Sequence, residues 1–203
     1  MQFHDTISSA THLFTAAWAA FAILLLLRLT RNHGPARWSV AIYGATLVLL
    51  YLASGTFHGL LVLSADPDPA RRAEAVRAMW MFQRLDKSAI FLLIAGSYTP
   101  VFVYMIRGKL RWAALAVEWG IAFVGIVLMW TYPSMPHPLL VSLYVGMGVG
   151  GLVLVPAVVT EVGVRGCVWI AGIAFFYVGG AAVDVFQWPM LIPGWVGPHE
   201  ILH

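Results

Sequence analysis

WSVAIYGATLVLLYLASGTFHGLLVL, from Trp38 to Leu63, contains no Asp, Glu, Lys or Arg. A helix needs roughly 20 apolar residues to cross the hydrocarbon core of a bilayer, and this run is longer than that. It therefore reads as a transmembrane span. Comparable runs lie at about residues 12–29, 86–106, 112–131, 139–160 and 167–187, which makes six complete spans within one domain, 1–203. A seventh run starts near Trp195 and reaches only His203. The sequence thus predicts an all-α membrane protein, a seven-transmembrane-helix bundle whose seventh helix is truncated at the end of this chain.

The composition agrees. Of 203 residues, 61% are hydrophobic and only 10% are charged, and the mean hydropathy is +0.83, far from the soluble mixture. Residues Met1 to Thr11 carry Asp5 and neither Lys nor Arg, so the first run lacks the basic start of a cleaved signal peptide and reads as a retained helix. The basic residues sit at helix ends rather than in a stripe, which disfavours nucleic-acid binding. Cys167 is the single cysteine and reads as a small buried hydrophobe. A bacterial inner membrane, with multiple passes, is the expected location.

Most connections are short, with Ser64 to Leu85 the exception. There DPDP makes a turn, and Ala73, Val76, Met79 and Trp80 then recur at helical spacing opposite Arg71, Arg72, Glu74 and Arg77. This predicts a short helix lying in the membrane interface. Counting Arg and Lys in the connections weakly favours an outside N-terminus. Parity is firmer: with alternating crossings, the end of the second span, the start of the third and the start of the seventh share one membrane face.

Ionisable groups inside spans are costly in hydrocarbon and mark functional sites. His58, in SGTFHGL at Ser54 to Leu60, is one. His199 and His203, in PHEILH at Pro198 to His203, lie one helical turn apart, so both imidazoles can address one metal ion, and His58 can complete a three-histidine set that leaves a fourth position for water. Ser54 precedes His58 by one turn on the same face, and the alternative for such a hydroxyl is a bond to the carbonyl four residues back. Asp86, in RLDKSAI, is either the N-cap of the third span or a carboxylate serving as general base. Glu118 and Asp184 lie within spans without metal-like spacing and are expected to pair with polar neighbours. Glu161 reads as a loop residue near Arg165. His4, His12, His33 and His137 lie near termini or connections, where a solvated or interfacial place is expected.

His199, Glu200 and His203 also spell H-E-x-x-H, in which the glutamate of a zinc protease acts as base. The placement late in the chain, after an early S-x-x-x-H, does not suit that class. The combination of SGTFHGL in the second span, RLDKSAIFLLIAGSYTPV in the third and PHEILH at the seventh resembles the haemolysin III branch of the progestin and adipoQ receptor family, and more distantly the alkaline ceramidases. The resemblance covers nearly the whole chain. It implies a seven-helix membrane protein with Zn²⁺ on His58, His199 and His203, with Asp86 near the activated water and Ser54 beside the first ligand.

The function expected from it is metal-dependent hydrolysis of a lipid amide or ester bond, the lipid substrate's acyl chain lying in an apolar cavity among the helices. The alternative is a non-catalytic receptor or membrane-perturbing, haemolysin-like protein in which zinc is structural. A transporter would show paired broken spans or internal repeats, and neither is visible in the sequence.

Overall fold

A computed structural model of the chain describes residues 3–132, 135–151, 155–192, 196–198 and 201. Six helices account for most of them: α1 (Phe3–Leu29), α2 (Gly34–Leu63), α3 (Pro69–Met105), α4 (Gly108–Thr131), α5 (His137–Gly150) and α6 (Val155–Phe186). No strand occurs among the described residues; one isolated antiparallel bridge joins Ile192 to Val196.

The first four helices are each long and apolar enough to cross a membrane. Their outer surface carries Phe14, Trp18, Phe21, Leu24, Trp112 and Phe123, each more than half exposed. In water such a surface would be a large apolar patch without a partner; in a bilayer it is the lipid-facing belt. Helices satisfy this environment because every backbone N–H and C=O is bonded within the segment. The chain is an all-helical, multi-pass membrane protein.

Small residues set the helix spacing. On α2, Gly44 faces Ile23 of α1, and Gly55 backs onto Leu13 and His12; a Cβ built on Gly55 would lie 2.9 Å from the Leu13 side chain and 3.3 Å from the His12 Cβ. Ser9 of α1 donates to the Gly55 carbonyl at 2.8 Å. Without a hydrophobic drive between helices in lipid, such close approach and interhelical hydrogen bonding hold the pair together. Between α3 and α4, Phe91 lies over Gly125, and Phe91, Ala95, Ala122, Met129, Leu140 and Met147 form a core that α5 completes. A polar contact secures the same junction: Trp119 Nε1 donates to Thr99 Oγ1 at 3.1 Å.

Three expectations change. The segment at 71–84 is helical, but it is not a separate interfacial helix, because α3 runs unbroken from Pro69 to Met105. Asp68 caps its start by accepting from Ala70 N at 2.9 Å, Pro69 occupies the first turn, and no proline follows until Pro100, so nothing interrupts the backbone ladder. Asp86 therefore lies well inside a helix and is no N-cap. The runs at 139–160 and 167–187 are also divided differently: α5 ends at Gly150, α6 is already helical at Val155, and the break comes at Gly163 with φ 67° and ψ 177°. Glycine alone reaches that backbone conformation readily.

Glu161 belongs to α6 rather than to a loop, and it pairs with Arg107 at 2.8 Å instead of with Arg165. Arg107 stands between α3 and α4, so this contact joins that connection to α6. His137 at the start of α5 lies 3.7 Å from Asp184 near the end of α6, and Tyr144 of α5 donates to the Lys87 carbonyl of α3 at 2.7 Å.

Candidate functional site in the membrane

Asp5, Ser8 and His12 recur at i, i+3 and i+7, which aligns them along one face of α1. All three are buried, at 7%, 2% and 3% exposure. Antiparallel to them, Ser54 and His58 occupy successive turns of α2 and are equally buried. The glycine contact at Gly55 lets the two faces meet.

Two polar pairs result. His58 Nδ1 lies 3.0 Å from Asp5 Oδ1, and His12 Nδ1 lies 3.0 Å from Ser54 Oγ. The His12 and His58 rings meet edge to face with centroids 5.6 Å apart. Tyr51 closes on His12 in the same manner at 5.7 Å, and Phe57 flanks His58 at 5.3 Å. Both Nε2 atoms are fully buried. A polar cluster enclosed in this way is costly to assemble in hydrocarbon, and its position marks function.

His12 was expected at a solvated or interfacial position, and the structure overturns this. The helix begins at Phe3, well before the apolar run at residue 12, so His12 stands more than two turns inside α1, facing α2. Asp5 belongs to the same cluster through its contact with His58. The signal in the sequence was the 5, 8, 12 spacing.

Asp86 is half-buried on α3, whose packing against α2 is the most extensive in the bundle. It lies within electrostatic reach of the Tyr144 hydroxyl. Next to it runs an apolar groove between α2 and α3, lined by Leu49, Leu52, Ala53, Thr56, Phe82 and Leu85, among others. His199, Glu200 and His203 lie outside the described residues. Before them, Gln187 adopts a left-handed φ of 53°, Ile192 and Val196 pair in the antiparallel bridge, and Pro198 is buried; Ile201 N donates to Gly197 O at 3.2 Å. Ile201 packs near Phe175, Phe176 and Val183 of α6.

Among the described residues no group of three His, Cys, Asp or Glu side chains gathers around one point. The part of the donor set that is described fits a metal site. His58 is buried, and its far nitrogen is held by a carboxylate, the arrangement typical of metal-ligating histidines.

The family model for haemolysin-III-related proteins matches residues 2–203. The chain belongs to that family, a branch of the progestin and adipoQ receptors. Its relatives include Hemolysin-3 of Bacillus cereus, 34% identical over 122 residues, which is 59% of this chain and 50% of that protein. The Hemolysin-3 homolog of Bacillus subtilis is 26% identical over 167 residues, 81% of this chain and 69% of that one. The match thus spans half the length of the Bacillus cereus protein.

Proposed function

We propose that this haemolysin-III-related protein is a zinc-dependent hydrolase of a lipid amide or ester bond, with His58, His199 and His203 as the metal ligands. The observation that carries the reading is His58 itself: a histidine 3% exposed and tethered to a carboxylate. Zinc held by three histidines supplies Lewis acidity and activates water near neutral pH.

The remaining work falls to side chains. Asp86 accepts the proton of the attacking water and returns it to the leaving amine or alkoxide as the carbonyl adduct collapses. Ser54, oriented by His12, donates to the oxygen on which charge develops. The groove between α2 and α3 takes the acyl chain, since its lining is mostly apolar and includes Leu85 and Ser88, close to Asp86 in the sequence. Glu200, despite the H-E-x-x-H spelling, has no assigned step.

Metal analysis of the purified full chain, combined with lipid-amide and lipid-ester hydrolysis by wild type and Asp86→Asn, tests this. Bound zinc, turnover by wild type and a large loss in Asp86→Asn are expected. Zinc retention without turnover of any lipid amide or ester would sink the hydrolase reading. Loss of zinc in His58→Ala, with zinc and function retained in Glu200→Ala, separates the site from a protease-like one.

A second reading draws support from the name of the Bacillus cereus relative, Hemolysin-3. On that reading the protein perturbs membranes or acts as a receptor, and zinc is structural. Dye release from vesicles by wild type and Asp86→Asn alike, with no hydrolysis, would favour it.

A further inference from the structure

We infer that Asp5 is a positioning residue for His58: its carboxylate holds the imidazole in the tautomer with the proton on Nδ1 and thereby commits Nε2 to ligation. The contact is His58 Nδ1 to Asp5 Oδ1 at 3.0 Å, between side chains that are 4% and 10% exposed. An ionised carboxylate can only accept, so Nδ1 donates. In a neutral imidazole the other nitrogen then carries the lone pair.

The surroundings make this orientation hard to exchange. His58 is walled by the Phe57 ring at 5.3 Å and the His12 ring at 5.6 Å, and a ring flip would place Nε2–H where Asp5 now accepts and turn Nδ1 away from it. His12 Nδ1 is itself engaged with Ser54. Asp5 thus does for His58 what a carboxylate does behind a metal-bound histidine: it fixes ring orientation and raises the basicity of the ligating nitrogen. Nothing in the three sequence motifs contains Asp5. It is brought in only by the packing of α1 on the Gly55 turn of α2.

The inference rests on His58 being a ligand, and two readouts on the full chain in lipid nanodiscs keep the two claims apart. The first is ¹⁵N NMR of histidine-labelled, metal-free protein, with His58 assigned by its absence in His58→Gln. The expected wild-type signal is a neutral ring protonated at Nδ1; in Asp5→Ala the tautomers should mix, and in Asp5→Asn, whose amide oxygen can still accept, the wild-type state should persist. The second is zinc affinity by competition with a chelator, expected to fall about 10–100-fold in Asp5→Ala and to recover in Asp5→Asn. If Asp5→Ala does not fold, the wild-type and Asp5→Asn spectra decide. A ring protonated at Nε2 or at both nitrogens in wild type overturns the inference, as does zinc affinity in a folded Asp5→Ala equal to wild type. Failure of wild type to bind zinc, with the Nδ1 tautomer intact and lost in Asp5→Ala, removes the zinc reading and upholds the role of Asp5.

Discussion

His12 Nδ1 and Ser54 Oγ share a 3.0 Å hydrogen bond that ties α1 to α2 one turn away from the Asp5–His58 pair. The bond lies in hydrocarbon, where an interhelical hydrogen bond contributes about 0.6 kcal/mol on average and at most about 1.7. His12→Phe keeps most of the volume and removes the bond, so its cost should stay near that range. His12→Ala also leaves a cavity, and its cost should reach the roughly 2–5 kcal/mol of large-to-small core changes. Unfolding of both variants in mild detergent gives the comparison; equal costs would mean that packing alone holds α1 in place. On the proposed function both variants should also lower kcat, since Ser54 loses its orienting partner.

Gly55 controls the same interface from the backbone side. Its missing Cβ would lie 2.9 Å from Leu13, whose side chain is 44% exposed and free to swing aside, but also 3.3 Å from the His12 Cβ, which moves only with α1. Gly55→Ala should therefore cost little. Gly55→Val should push α1 away and cost about 1–3 kcal/mol, the usual range for overpacking. Gly120→Ala on α4 is the control, because a Cβ there meets nothing within 4 Å and alanine is the better helix former. Zinc affinity should fall in Gly55→Val and stay unchanged in Gly120→Ala.

What the sequence made legible follows from how each signal is written into it. An apolar run without charge is enough to recognise the span of α2, and the run of α4 stands out although it contains Glu118. The i, i+4 spacing of Ser54 and His58 is enough to place both on one face. Asp5 and His12 were not legible as site residues because they precede or open the apolar run at residue 12, whereas the helix already runs from Phe3 and their side chains meet Ser54 and His58 of α2. A search for helical spacing among polar residues would have found 5, 8 and 12. The continuity of α3 was obscured by the change from an amphipathic to an apolar pattern near Leu85, which alters the surroundings of a helix without breaking its ladder. The bend at Gly163 was not legible, since the sequence holds many glycines and only one takes that φ within α6.

Tyr144 links α5 to the residue beside Asp86. Its hydroxyl donates to the Lys87 carbonyl at 2.7 Å, and its ring packs on Phe91 with centroids 4.6 Å apart. Tyr144→Phe keeps the ring contact and removes the bond, so stability should drop by no more than about 1.7 kcal/mol. If Asp86 acts as the base, the same change should alter the pH profile of kcat while leaving zinc content at the wild-type level. An unchanged profile would detach Tyr144 from the chemistry.

Glu118 is the other buried acid, 6% exposed on α4, and its Oε2 has no hydrogen-bond partner among the described residues. A buried polar atom left unsatisfied costs about 1–3 kcal/mol. Glu118→Met, similar in length and without polar atoms, should therefore raise the unfolding temperature in detergent, and Glu118→Ala should lower it by opening a cavity beside Gly150, where Glu118 Oε1 now comes within 3.6 Å of a built Cβ. A costly acid kept in a span points to a use for it, so the more stable Glu118→Met protein is the one to assay for lipid turnover and zinc. Loss of activity at full zinc content and raised stability would place Glu118 in function; a fall in stability would show that its carboxylate is satisfied within the bundle.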